Sequence, residues 1–245
     1  LYIIFKSNTG FIIFPPTTEV AVDDSNLFGT QTKTTADTIA NSLREEILRG
    51  ELEVSQGLRQ DKIARKYGVS PIPVREALFQ LAEEGLVAFF PNRGAFVSPL
   101  SATELFEIYA MRTALELLAL EHAIPNLTEA SLARAESLIA QMDSEKDICN
   151  WGELNWEFHA TLYQPADMPR LMRTLRRLHV NVIRYMVSNV LDPDEIEYSS
   201  HNQSEHRQIL AACRRRDVEI ASILLRRHLD ISSKVLVHFL EDKKG

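Results

Sequence analysis

The stretch that most constrains this chain is Tyr67-Gly-Val-Ser-Pro-Ile-Pro-Val-Arg-Glu-Ala-Leu-Phe-Gln-Leu-Ala-Glu-Glu-Gly-Leu-Val87. Gly68 suits the left-handed turn that closes a short helix. Ser70 offers an N-cap oxygen to the next helix, and Pro71 takes its first position, where no amide hydrogen is missed. Val74, Leu78, Leu81 and Ala82 recur at helical spacing, which leaves Arg75 and Gln80 facing outward. Upstream, Leu58 to Lys66 reads as a shorter helix that turns Ile63 and Ala64 inward. Two short helices joined by a glycine turn, the second with polar side chains outward near its start, form a helix-turn-helix, the unit that lays its second helix in the major groove of DNA. Leu86–Phe90 and Ala95–Val97 read as two short strands around Pro91-Asn-Arg-Gly94, a wing whose tip residue Arg93 is placed to meet a phosphate or the minor groove.

A reader of DNA needs positive charge, and here it has to be local. The chain carries a net charge of −7. Residues 30–100 hold nine Lys/Arg and nine Asp/Glu, whereas residues 101–245 hold 17 and 22. The candidate DNA-contacting residues are Arg44, Arg59, Lys62, Ser70, Ile72, Arg75, Gln80, Arg93 and Gly94. That set suits a dimer better than a monomer. The length of 245 residues is enough for two domains with their own cores. Two cysteines, Cys149 and Cys213, give no disulfide framework and suit a reducing cytoplasm. No run approaches the roughly eighteen apolar residues of a membrane span.

Taken in order, residues 1–29 begin with two β-branched apolar runs, Leu1–Phe5 and Phe11–Phe14, followed by Pro15-Pro16 and an acidic, polar stretch. Neither a basic start nor a small-residue cleavage site marks a signal peptide, and the segment reads as an extra strand or an arm. A helix is predicted from Thr35 to Arg49, with the helix-turn-helix and wing making a domain over 30–98. Ser98-Pro99-Leu100 is a hinge, and Ser101-Ala-Thr-Glu104 a capping box. Helical periodicity then covers 101–124, 128–145, 148–163, 168–190, 194–214 and 217–242, punctuated by prolines, with Asp192-Pro193 opening the fifth. The fold class expected is mainly α: a winged helix-turn-helix followed by an antiparallel bundle of about six helices over 101–245.

Within the bundle, polar groups sit on stripes that should be apolar. Asn155 and His159 lie four apart on the face of Trp151, Phe158 and Leu162. His206 shares a face with Ile209, Leu210 and Cys213, and His228 with Ala221, Leu224, Leu225 and Ile231. If the chain reverses near Asp217, the last two histidines each stand eleven residues from the turn. At about 1.5 Å per residue they lie at one height, roughly 16 Å from it. One core histidine is ordinarily a hydrogen-bonded packing residue. Three imidazoles converging with an amide oxygen suit a divalent transition metal, zinc or nickel. Arg112 falls on the inward stripe of Leu105, Ile108, Leu115 and Ala119. It needs an anionic partner, either a bundle carboxylate or the carboxylate of a bound effector.

The order Leu43-Arg-Glu-Glu-Ile-Leu-Arg-Gly50, Gly68-Val-Ser70, Pro73-Val-Arg-Glu-Ala-Leu78, Leu81, Glu84-Gly-Leu-Val87 and Arg93-Gly94 resembles the GntR family of bacterial transcription regulators. The chain departs from it at Pro71, where the family usually carries arginine, and at Ile72, where a small hydroxyl residue is usual. The segments Asn155-Trp-Glu-Phe-His-Ala-Thr-Leu162, Glu205-His-Arg-Gln-Ile-Leu210 and Leu225-Arg-Arg-His-Leu229 resemble the FCD ligand domain of the FadR-like branch. That resemblance implies a metal held by Asn155, His159, His206 and His228. An amide stands where the branch commonly has a carboxylate, implying a weaker site that leans on an anionic ligand. It also implies an effector-facing Arg112. His122, His179, His201 and His238 do not match the ligand pattern and read as surface or packing residues, with His201 in reserve. The expectation is a homodimeric repressor that binds a double-stranded operator under control of a small organic acid. The alternative is a metal-dependent, hydrolase-like enzyme using the three histidines. Against it, no general base, nucleophile motif or phosphate loop accompanies them.

Overall fold

The computed structural model describes residues 3–7, 10–14, 34–189 and 196–242, and the side chains of 34–187, 202–238, 240 and 241. Asp192-Pro193 and the side chain of His201 therefore lie outside the described residues. The chain divides into two compact units, 1–34 and 35–245. In the first, β1 (Ile3–Ser7) and β2 (Gly10–Phe14) pair antiparallel from Ile3↔Phe14 to Ser7↔Gly10.

The second unit opens with α1 (Thr35–Leu48), whose buried Ala36, Ile39, Ala40, Leu43 and Ile47 repeat at helical spacing. Gly50, at φ 73°, supplies the left-handed residue just beyond it. β3 (Gly57–Leu58) precedes α2 (Gln60–Tyr67). The predicted helix start at Leu58 is thus two residues early, because Gly57 and Leu58 pair with Phe96 and Ala95 instead. Gly68, at φ 65°, ends α2, and the Val69 amide donates back to the Ala64 carbonyl, a closure only a left-handed residue permits cheaply. α3 (Pro71–Glu83) buries Val74, Ala77, Leu78 and Leu81. β4 (Val87–Phe90) and β5 (Gly94–Val97) form the wing, in a sheet ordered β3-β5-β4.

Six α-helices follow among the described residues: α4 (Ala102–Ala123), α5 (Glu129–Ser144), α6 (Ile148–Tyr163), α7 (Pro169–Asn189), α8 (Ile196–Arg214) and α9 (Val218–Asp242). Ser101, Thr128 and Asp147 cap α4, α5 and α6 by accepting from the amides of Glu104, Ser131 and Asn150. Only half of the predicted capping box forms. The Ser101 amide donates to the Tyr185 hydroxyl, and the Glu104 carboxylate accepts from that same hydroxyl at 2.7 Å.

α7 belongs to two cores. Leu175, Val182, Tyr185 and Met186 pack inside the bundle, whereas Val180, Ile183 and Val187 complete the interior of the winged helix. Their spacing places the two sets on different faces of one helix. Polar contacts follow the same seam. Asn181 donates to the Glu84 carbonyl (2.6 Å), the fully buried Arg184 to the Ser98 carbonyl (3.0 Å), and the Cys149 thiol to the Leu48 carbonyl (3.3 Å).

Candidate metal centre and DNA-facing surface

α6, α8 and α9 carry His159, His206 and His228 inward, and one ring nitrogen of each lies within 4.8 Å of the others. The His206 and His228 rings, expected at one height, stand 4.7 Å apart between centroids. All three are buried, His206 completely.

Each ring is oriented by a partner at Nδ1. His228 donates to Glu205 Oε2 (2.9 Å) and His206 to Gln203 Oε1 (3.2 Å). The Tyr163 hydroxyl donates to Glu116 Oε2 (2.7 Å), so its oxygen accepts from His159 Nδ1 (3.1 Å). These acceptors fix the hydrogen at Nδ1, which leaves Nε2 as the second nitrogen of each ring. Nε2 of His159 and of His206 has no hydrogen-bond partner, nor has Oδ1 of Asn155 one helical turn before His159. Burial, and then the neighbouring imidazoles, hold His159 and His206 well below the usual imidazole range, which keeps both rings neutral and able to donate a lone pair. Orphaned buried acceptors of this kind are costly in a dry core. Three ring nitrogens and an amide oxygen make a donor set that fits a divalent transition metal.

Arg112 donates from Nε to Glu116 Oε1 (2.7 Å). Burial works against its charge, but the Glu116 carboxylate outweighs it and holds the guanidinium above its ordinary value. Of the two partners expected for Arg112, the structure supplies the bundle carboxylate. Glu116 thereby links Arg112 through Tyr163 to His159. Arg112, Asn155, Asn202, His228 and Ser232 also border a cavity of about 10 Å³, to which α7 contributes Val182 and Met186. That is room for a single ion or water. Glu116, Gln203, Glu205 and Tyr163 do not emerge from the sequence as site residues. The available signal is an ionisable group on an inward stripe, four residues from Arg112 for Glu116 and adjacent to His206 for Glu205. Among the other histidines, His122 is exposed, while His179 is buried with Nε2 on the Gly152 carbonyl (2.9 Å).

On the winged helix, Ser70, Ile72, Arg75, Arg93 and Gly94 are exposed, as are Arg59 and Lys62. Ser70 occupies the N-cap position of α3 but its side chain makes no capping bond. Arg75 lies over the Phe79 ring at 5.4 Å, and Arg93 over Phe96 at 5.3 Å. Two expected contacts are engaged elsewhere. Arg44 is held bidentate by Glu84 at 2.6 and 2.7 Å. Gln80 does not face outward: it is half-buried and donates to Asp37 on α1 (3.0 Å), because its position in α3 turns it toward that helix. Arg59 is paired with Asp61 at 3.2 Å but stays at the surface.

Residues 35–97 match the gntR family of bacterial regulatory proteins, and residues 107–231 match the FCD domain. The chain belongs to the GntR family, with an FCD domain. A GntR-family transcriptional regulator from Pseudomonas syringae pv. tomato str. DC3000 has a solved structure that is 33% identical over 85% of this chain and 87% of that one, with a TM-score of 0.50. The HTH-type transcriptional repressors RspR and GlaR of Escherichia coli K12 are 28% and 29% identical, over 79% and 76% of this chain and 85% and 89% of theirs. E. coli McbR/YncC shares the fold, with a TM-score of 0.68 at 24% identity over 84% of this chain and 98% of that one. This GntR regulator is thus a DNA-binding transcription factor, as the helix-turn-helix and wing imply, and the hydrolase alternative falls with that membership. No helix among its described residues is long and apolar enough to cross a membrane.

Proposed function

We propose that this regulator is a cytoplasmic, homodimeric repressor whose operator affinity is set by a small carboxylate bound with a divalent metal inside the bundle. The observation that carries the reading is the set of buried, unpartnered acceptors: Nε2 of His159 and His206 and Oδ1 of Asn155, beside His228. Asn155, His159, His206 and His228 would hold zinc or nickel. When bound, such an ion supplies a positive centre to which a carboxylate oxygen can attach. The chain's own part is to aim the imidazoles, through Glu205, Gln203 and Tyr163 at their Nδ1 atoms. Arg112 borders the small cavity, and a carboxylate there would share it with Glu116. Val182 and Met186 form the α7 wall of the cavity, so a molecule larger than water would press on α7 among the surrounding helices. The opposite face of α7 is seated in the winged helix. Differential affinity for two positions of α7 is then the coupling that regulation requires.

Dimerisation is supported by the groove between α4 and α9, about 460 Å³, where Phe106 and Ile223 are 65% and 56% exposed. Two such side chains lining one groove offer an apolar surface that a second copy of the chain could cover. Repression is supported by the functions named for RspR and GlaR. DNA contact through Lys62, Ser70, Arg75 and Arg93, with Arg59, Ile72 and Gly94 around them, is supported by their exposure at α2, α3 and the wing, whereas Arg44 and Gln80 would first have to leave Glu84 and Asp37. Elemental analysis of the purified protein tests the site. Bound zinc or nickel is expected in the wild type, with affinity at least about tenfold lower in His159→Ala and His228→Ala; undiminished metal in both variants refutes this ligand set.

A further inference from the structure

The tip of α3 is built unlike a phosphate-binding helix start. A helix leaves the amides of its N-cap and first three residues without intrahelical partners, and these are the groups that usually meet phosphate. Here those four are Ser70, Pro71, Ile72 and Pro73. Two of them are prolines and carry no amide hydrogen. What the tip offers instead is apolar: Pro71 is exposed, and Ile72, at 69%, is the most exposed large hydrophobic residue among the described side chains. Its branched side chain lends little to the helix and is too open to serve the core. Arg75, one turn later on the same outward stripe, is exposed beside it, and the wing carries the exposed Arg93. That charge favours a polyanion over a greasy protein partner.

Resting on the reading that α3 enters the major groove, we infer that Ile72 packs against the 5-methyl group of a thymine in each operator half-site. Thymine is the base that shows an apolar group in that groove, and a methyl contact needs no donor, which suits a tip depleted of donors. Recognition at this position is then by shape and dehydration rather than by a hydrogen bond.

Uracil differs from thymine by that one methyl, so the test is atomic. Duplexes bound by the full-length protein are selected from its own upstream region and from a random pool, and each thymine of the half-site is replaced in turn by uracil. Wild-type affinity, read by fluorescence anisotropy, is expected to fall about fourfold at one thymine per half-site, the effect of one buried methyl. Ile72→Ala binds more weakly at the start but shows no uracil penalty there, while Arg93→Ala weakens all duplexes alike and keeps the penalty. Ile72 is at the surface, so the variant folds, and an unchanged melting curve verifies it. A wild type that selects and binds a duplex with no uracil-sensitive thymine, or an Ile72→Ala variant that retains the penalty, overturns the inference and leaves operator binding standing. Failure to select any duplex overturns both.

Discussion

Glu116 serves two helices with one carboxylate. Oε1 takes the Arg112 guanidinium and Oε2 the Tyr163 hydroxyl, so both oxygens are used and a buried cation is neutralised within one turn of α4. Removing one member of a buried pair strands the other, at a cost of about 3–5 kcal/mol. Glu116→Ala should therefore lower the melting temperature sharply in calorimetry, and an unchanged melt would show that Arg112 finds another anion. His179 makes a different prediction, about pH. Burial, and after it the Arg112 charge, hold its ring well below the usual 6.5 in the folded chain. The unfolded chain takes up that proton first as pH falls, so the stability this group permits is whole above 6.5 and drains away below it. The slope of stability against pH between 6.5 and 5 should be shallower in His179→Gln by up to about 1.4 kcal/mol per pH unit. Urea unfolding at three pH values measures it, and equal slopes would contradict the buried neutral ring.

At the scale of elements, helix starts are written locally and can be read from the sequence. Ser101, Thr128 and Asp147 each accept the amide three residues on, as their short polar side chains allow. The inward histidines are legible for a similar reason, since a 3.6-residue period assigns each position to a face without knowledge of its neighbours. β3 is not legible. Two residues have no periodicity, and Gly57-Leu58 becomes a strand only because β5 offers an edge. Nor can sequence say that Glu205 orients His228 from another helix, or that Gln80 turns to Asp37, because those contacts are made by packing between distant segments. Gly152 is a further case: a methyl there would stand 2.9 Å from Ile183 Cγ1, so α6 and α7 are as close as they are because the side chain is missing. Gly152→Ala should cost about 1–3 kcal/mol as overpacking, read by thermal melt. No loss would mean that α7 moves aside freely.

Over the whole molecule, the boundary at the hinge is a boundary in the chain but not in the interior. Val180, Ile183 and Val187 of α7 lie in the same core as Ile39, Leu43 and Leu78 of the winged helix. Ile183→Ala should cost about 2–5 kcal/mol yet leave the metal content at the wild-type level, because that side chain packs in the winged-helix core and does not line the cavity beside His228. Calorimetry and elemental analysis on one preparation measure both, and lost metal would mean the two faces of α7 are not independent. The shared helix also limits what can be done with the parts. A reader severed at Pro99 would lose three aliphatic plugs and the guanidinium that caps the Ser98 carbonyl, leaving a wet apolar socket where α7 had been. Grafting this winged helix onto a foreign sensor would succeed only if the new host brought its own version of that helix.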